Sequence, residues 1–422
     1  MRKTVISLAL AGALSMPAYA AIETVTAVST PHGSGQAVTE MILQYDEAVA
    51  AKSLNKTAFS VSDRNIIGVS LDKKDPRKVV LTLDPQDTDA SVMYKPRKSD
   101  KSQQKAGNGT PTFSVETQSV MREFNNVIEQ KSTLTAANGR KIAPNSAKIS
   151  KLVNLVADDF SQHEYTDAAT GTVIKYNLFV PKNYDPKKSY PLVMFIHDAG
   201  ATNTYVKTTL YQGNGATSFA APKAQAKQQA FVLAPQFDHV ITNDNSDDPA
   251  DLEPLVNLIQ SLTKEYAIDS NRLYTTGQSG GAMMSLALNI KHPDLFAASW
   301  IVAGQWAPEK TAPIAKNNLF VLVSENDAKA FPTEKSIMEV LKANGAKVEE
   351  SFGWDGQAPV ATLDKNTEAL LAKGGNVHFA AFKGDSLPLE QQTGNKGAAH
   401  MGTWKVAYHI DAIRDWLYSQ KK

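Results

Sequence analysis

The segment Leu273-Tyr-Thr-Thr-Gly-Gln-Ser-Gly-Gly-Ala-Met-Met-Ser285 places a serine where it could act as a nucleophile. It reads as a short strand, the turn Gly277-Gln-Ser-Gly-Gly281, and then a helix rich in Ala, Met and Leu. That is the G-x-S-x-G elbow in the context it requires, with Ser279 on the turn. The sharp reversal holds the serine in a strained backbone conformation, and Gly277 and Gly281 let the chain fold back against its neighbours. At ~7% Gly the five residues alone arise by chance in roughly one chain in ten. The flanking strand and helix give them weight, as do the partners downstream.

A serine hydroxyl is a poor nucleophile until a base takes its proton, and the base needs a carboxylate to orient it. Behind an elbow of this kind the acid comes next in the chain and the histidine last. Four histidines follow Ser279: His292, His378, His400 and His409. His292 precedes Pro293 at the end of the elbow helix and suits a surface role. His378 lies in the strand Val377-His-Phe-Ala-Ala-Phe382, and His409 inside the last helix. His400 lies in a Gly-rich loop, Gly397-Ala-Ala-His-Met-Gly402, from which it can reach back over a sheet; it is the candidate base. For the acid, Asp327 follows the apolar strand ending at Val323, at the carboxyl edge where the catalytic groups of open α/β sheets collect. Glu325 is the near competitor and Asp355 a distant one, and an Asp in such a loop also suits a helix cap. An oxyanion needs two backbone donors. One is the N–H of Gly280; the other falls in Ile196-His-Asp-Ala-Gly200, with Ala199 chosen ahead of Asp198. His197 and Asp198, upstream of the serine, are read as shaping that loop.

The chain has 422 residues, 42% hydrophobic and 21% charged, which fits a globular protein of two domains. Its start combines Arg2 and Lys3, an apolar run from Val5 to Leu14, and Ala18-Tyr-Ala20, the pattern of a secretory leader cut after Ala20. The apolar run is too short to span a bilayer as an anchor. Removing residues 1–20 takes two of 44 basic residues and none of the 43 acidic ones, leaving a formal charge of −1. Nothing there suggests a nucleic-acid partner. With no cysteine, the chain has no disulfide, no thiolate chemistry and no lipidated cysteine.

Composition changes near residue 150. Before it run the short alternating segments Ala37–Tyr45, Asn65–Leu71, Lys78–Leu83 and Thr112–Gln118, separated by turn residues, which predict an antiparallel immunoglobulin-like β-sandwich over 21–150. The basic stretch Lys95–Gly109 has no interleaved aromatic residue and reads as a solvated loop. Beyond it, strands and helices alternate. Strands are expected at Tyr176–Val180, Pro191–Ile196, Ala230–Ala234, Phe296–Ala303 and Asn318–Val323. Helices are expected at Ala220–Gln229, Leu252–Tyr266, Thr333–Asn344 and Thr403–Tyr418. This predicts an α/β domain with a mostly parallel sheet over 151–422.

Pro191-Leu-Val-Met-Phe-Ile-His-Asp-Ala-Gly200, the elbow, Ser324-Glu-Asn-Asp327 and His400-Met-Gly-Thr-Trp404 resemble the α/β-hydrolase superfamily. Within it they are similar to secreted bacterial esterases of the polyhydroxybutyrate-depolymerase-like group, some labelled peptidases. The resemblance runs from about Asp158 to the end, and residues 22–150 are similar, more weakly, to the immunoglobulin-like N-terminal domain of some of these esterases. It implies Ser279 as nucleophile, Asp327 as acid and His400 as base. Two positions depart from the pattern: Asp198 stands where many relatives have Gly, and Gly280 replaces a larger residue.

The expected protein is a secreted or periplasmic serine carboxylesterase acting on short-acyl or polymer-borne esters through an acyl-enzyme. It needs no metal or other cofactor, and its partner is the small-molecule or polymeric ester itself. The alternatives are a serine peptidase of prolyl-oligopeptidase type and a non-catalytic binding protein using the sandwich. The insert Gln305–Asn317 is too short for a helical cap, so an open groove is expected. Trp306 either forms a wall of it, as a substrate-binding residue, or packs at a domain edge.

Overall fold

The structure is a computed structural model that describes residues 21–96, 118–389 and 396–422. The leader at 1–20, the basic stretch from 97 to 109 and the strand expected from Thr112 lie outside the described residues, Gln118 excepted. Contacts divide the chain into two compact units, neither continuous in sequence. One comprises the chain up to Val28, Thr39–Asp89 and Phe124–Leu152; the other comprises Ser29–Val38, Ala90–Glu123 and Val153–Lys422.

The first unit is all β. Five strands pair in the order Lys151–Asn154, Ile22–His32, Gly35–Tyr45, Lys78–Leu83, Ile66–Leu71, and three in the order Asn145–Lys148, Val127–Gln130, Phe59–Val61. The alternation of Met41, Leu43 and Tyr45 puts all three fully inside. Met41 pairs with Leu81 and Leu43 with Val79, both also fully buried. Each such side chain contributes about 1.5–3 kcal/mol, and a slip of one residue would turn the whole set to solvent. Tyr45 takes a polar atom into this core, and its hydroxyl donates to Gln130 Oε1 at 2.9 Å. Gln130 in turn donates to the Ile142 carbonyl at 3.1 Å. The buried phenol is thereby satisfied, and the two sheets are joined.

The second unit is built on nine strands: β1 (Ser161–Thr166), β2 (Val173–Phe179), β3 (Tyr190–Ile196), β4 (Phe231–Gln236), β5 (Ile268–Gln278), β6 (Ala298–Val302), β7 (Leu319–Ser324), β8 (Val348–Trp354) and β9 (Val377–Phe382). Their order is β1-β2-β4-β3-β5-β6-β7-β9-β8. The β1–β2 and β2–β4 pairs are antiparallel, and every later pair is parallel. Strands β3, β6 and β7 are buried at every residue, as continuous apolar runs in a parallel sheet must be. Six helices matter to the site or its support: α1 (Leu252–Glu265), α2 (Gly280–Lys291), α3 (Ala330–Ala343), α4 (Val360–Leu371), α5 (Lys396–Ala407) and α6 (Asp411–Ser419). Leu255, Val256, Leu258, Ile259 and Leu262 of α1 join one core cluster with Leu192 and Met194 of β3 and Met284 and Leu288 of α2.

Three local expectations are corrected. The helix expected at Ala220–Gln229 is two short helices, Gly215–Ala220 and Pro222–Lys227, the second opening on Pro222, whose missing N–H costs nothing at that position. The final helix is two helices, α5 and α6, broken at Ile410, whose backbone is extended (φ −78°, ψ 104°). His400 is consequently inside α5, not in a loop ahead of a helix, and His409 lies in the break. The break is held by Asp364 of α4, whose Oδ1 accepts the Ala412 N–H at 2.9 Å. It is held again by Tyr408, fully buried with its ring 4.8 Å from that of Trp300 and 5.6 Å from that of Phe195.

The tip of the first hairpin, 29–38, belongs to this second unit. Lys405 of α5 donates to Ser34 Oγ at 3.4 Å across 371 positions of sequence. Asn203 likewise donates to the Ser119 carbonyl at 2.7 Å.

Candidate active site

Parallel pairing brings the ends of β3 and β5 together, with Ile196 opposite Gly277. One residue past β5 the chain reverses into α2. Ser279 adopts φ 51° and ψ −118°, a region costly for a side chain with a Cβ. The reversal is possible because of its glycines. A Cβ on Gly277 would lie 2.4 Å from the backbone of Gly281, and one on Gly281 would lie 2.0 Å from the Ile196 carbonyl oxygen.

Three sequence-selected residues meet at this elbow. Ser279 Oγ is 2.8 Å from His400 Nε2, and His400 Nδ1 is 2.5 Å from Asp327 Oδ2. Asp327 sits in the turn after β7, 4% exposed. Its other oxygen accepts the N–H groups of Lys329 and Ala330 at 3.1 and 2.9 Å, at the start of α3. One oxygen of Asp327 thus caps the start of α3 while the other faces His400. Burial pushes its carboxyl up, but the hydrogen bond and charge of His400 and the two amides outweigh burial and hold it below the usual carboxylate range. Glu325 is only partly buried and is not the partner of His400. His400 is braced by Trp404 one turn on, edge to face with ring centres 5.1 Å apart. Tyr408, at the end of α5, contacts Thr276 Oγ1 at 3.1 Å, so the helix bearing the histidine is pinned to the strand bearing the serine.

The other histidines take structural places. His292 meets Glu253 at the surface at 2.9 Å. His378 is 3% exposed in β9 beside Phe320 and Trp416, and burial pushes its pKa down. His197 is buried, and burial lowers its pKa, leaving the imidazole neutral. Its Nε2 accepts the Phe237 N–H at 3.0 Å, so Nδ1 carries the proton and donates to the Asp198 carbonyl at 2.7 Å. The pair His197–Asp198 shapes its loop, as its position before the serine predicts.

Next to the elbow, His197, Asp198, Ala199, Thr202, Val240, Ile241, Thr242 and Gly280 line a small depression. Ala199 opens a single 3-10 turn, and its nitrogen lies 3.5 Å from where a Cβ on Gly280 would stand. Neither the Ala199 nor the Gly280 N–H is spent on a hydrogen bond among the described residues. The same Cβ would lie 3.2 Å from Thr242 Oγ1, so a larger residue at 280 would crowd this wall. Trp306 is 3% exposed inside the main core cluster; of its two roles, the structure shows packing, and its assignment as a substrate-binding wall is corrected. The insert around it forms only two 3-10 turns, Pro308–Lys310 and Ala312–Ile314. Val240, Ile241 and Thr242 escaped the sequence reading, because their loop carries no motif. Among the described residues no group of three or more His, Asp or Glu side chains is arranged to hold a metal ion.

The loop that supplies Val240–Thr242 is anchored by His239, whose Nε2 meets Asp251 at 2.8 Å and whose Nδ1 meets Asp238 at 2.9 Å. The Asp251 hydrogen bond, against burial and with help from Asp238, pushes the His239 pKa up from 6.5 to about 9. A pKa raised by folding stabilises fully below the ordinary value, and that stabilisation is lost as pH rises through the folded one. The melting temperature of the protein should therefore lose a component between pH 6.5 and about 9 that His239→Gln lacks. The imidazole is 54% exposed, so the effect is modest. Parallel melting curves for the two proteins across that range would disprove the anchor.

Comparison with known proteins agrees with this architecture. Residues 24–143 match the family described as the esterase Ig-like N-terminal domain, and residues 235–312 match the prolyl oligopeptidase family. A crystal structure of a thermostable esterase superposes with a TM-score of 0.76 at 23% identity, covering 95% of this chain and 100% of that one. A probable acetylxylan esterase A of Aspergillus flavus is 42% identical over 50 residues, and the acetylxylan esterase A of Aspergillus ficuum is 38% identical over 50. These stretches are 12% of this chain, which spans 16% of the length of either relative. The chain has the α/β-hydrolase fold of that thermostable esterase, preceded by the all-β unit. It carries an immunoglobulin-like N-terminal domain of the esterase type. Among the described residues no helix is long and apolar enough to cross a membrane.

Proposed function

We propose that the protein is an exported serine carboxylesterase for short-acyl esters, free or carried on a polymer. The observation that carries the reading is the continuous hydrogen-bonded run from Ser279 through His400 to Asp327, at 2.8 and 2.5 Å, on a strained elbow. Ser279 Oγ attacks the ester carbonyl while His400 Nε2 takes its proton. Asp327 holds Nδ1–H, fixing the tautomer and offsetting the charge that forms on the ring. The amides of Ala199 and Gly280 receive the oxyanion, His400 returns the proton to the leaving alcohol, and water repeats the sequence on the acyl-enzyme. Export is supported by the leader pattern at 1–20. Preference for short acyl groups is supported by the lack of a helical cap in the 305–317 insert and by the names of the acetylxylan esterase relatives.

A long acyl chain needs an apolar tunnel to gain its ~0.8 kcal/mol per methylene. Acetate to butyrate p-nitrophenyl esters should be turned over at least tenfold faster than the palmitate ester, with no rate jump above the solubility limit. A preference for palmitate would overturn the open-site reading. The match of 235–312 to the prolyl oligopeptidase family favours one second reading, a serine peptidase. Turnover of a peptide anilide in preference to the acetate ester would establish it.

A further inference from the structure

We propose that Asp198 is a positioning residue that ties the oxyanion loop to the nucleophile elbow through Gln278; the proposal rests on the serine-esterase reading. Asp198 is 8% exposed and Gln278 1% exposed. Asp198 Oδ2 accepts from Gln278 Nε2 at 2.8 Å, and Oδ1 accepts the Gly200 N–H at 2.7 Å. Its own carbonyl is held by His197 Nδ1 at 2.7 Å. The peptide group before Ala199 is therefore held by His197 and the one after it by the Asp198 side chain, and Asp198 is in turn bonded to Gln278, the residue covalently joined to Ser279. The Ala199 amide can point into the site only in the orientation this network sets. An amide aimed at developing charge acts through its orientation, so a looser loop costs rate more than substrate affinity.

A carboxylate suits the place because two N–H donors converge on it, and both of its oxygens accept. A glycine here would leave the loop with no side chain to make either bond. The Asp198 side chain thus braces the loop against the elbow. The charged and titratable groups around the carboxylate are His197 on its own loop, Lys95, whose ammonium is 3.9 Å from where a Cβ on Gly200 would stand, and, at longer range, Tyr408 and, through His197, His239.

The test uses the full chain, with p-nitrophenyl acetate kinetics from pH 5 to 9 and a melting temperature for each variant. Loss of one oxyanion donor elsewhere costs about 100- to 1000-fold, so a misaimed one in Asp198→Ala should lower kcat by roughly 10- to 100-fold, with KM within about twofold. Asp198→Asn should recover most of that loss. Its oxygen still accepts from Gly200, and its amide donates to Gln278 once that side chain flips. Gln278→Glu sets a carboxylate against a carboxylate, so the pair must share a proton. Its activity should fall with rising pH along a limb absent from the wild type. Combining Asp198→Asn with Gln278→Glu restores a donor between the two and should remove that limb. A structural role alone would move the melting temperatures without the new limb or its removal. Wild-type kcat in folded Asp198→Ala would overturn the proposal, and so would a double variant that keeps the limb. Failure of the underlying reading is seen separately, as turnover that survives Ser279→Ala.

Discussion

Ser279→Ala should leave the protein folded and lower kcat for p-nitrophenyl acetate by about a million-fold, the scale at which loss of a serine nucleophile is felt when base and acid act with it as a unit. Labelling by a fluorophosphonate should vanish in parallel. The variant removes one hydroxyl and keeps the Cβ, so the strain at φ 51° is unchanged and the melting temperature should move little. Undiminished labelling would show that some other residue is the nucleophile. A loss of structure together with activity would leave the chemistry to be read from the probe on the wild type, where modification must map to Ser279.

Asp327→Asn should cost about 10,000-fold in kcat, or about 5.5 kcal/mol of transition-state stabilisation. The asparagine oxygen can still take the N–H groups of Lys329 and Ala330, so α3 keeps its start and the protein its melting temperature. The asparagine amide would instead face His400 Nδ1 as a donor. The ring would then carry its proton on Nε2, beside Ser279, where it cannot act as a base. Asp327→Ala should show the same catalytic loss plus about 1 kcal/mol of lost capping. Glu325→Gln should change turnover by no more than a few-fold. If Glu325→Gln proved the more damaging, the carboxylate would have been misassigned.

The elbow was legible in the sequence because its constraint is steric. Only glycine fits at 277 and 281, and that requirement is written in residue types. Asp327 was legible because a continuous apolar strand announces its own carboxyl edge. His400 was found by elimination, but its helix was not. Gly397 and Gly402 lower helix propensity within α5, and the helix forms because Ala399, Trp404 and Ala407 are buried on it. The apolar positions Val406, Ile410, Ile413 and Leu417 suggested one helix where there are two, because a stripe can continue across a break that packing and the Asp364 cap impose. Helix α4 was missed for the opposite reason: only Leu363, Thr367 and Leu370 of its residues are buried, too few to mark a face. Strand β8 was missed because the edge position leaves Val348–Trp354 half solvated and its pattern indistinct. The Asp198–Gln278 bond joins residues 80 positions apart, and no local pattern encodes it.

The hairpin tip at Ser29–Val38 and the helix carrying Lys405 and His400 are among the first and last parts of the chain to be made, yet they belong to one compact unit. A contact that spans 371 positions is a slow one to close, because the entropy of a very long loop is lost before the contact repays it. The contacts of the hairpin tip with the last helices can therefore close only once the C-terminal part has been made. His400, in the last fifth of the chain, is made after Ser279, so an emerging chain carries Ser279 before His400 can reach it. Cutting the gene near residue 158 would not free an independent catalytic module, since two of the three segments of that unit would be left behind.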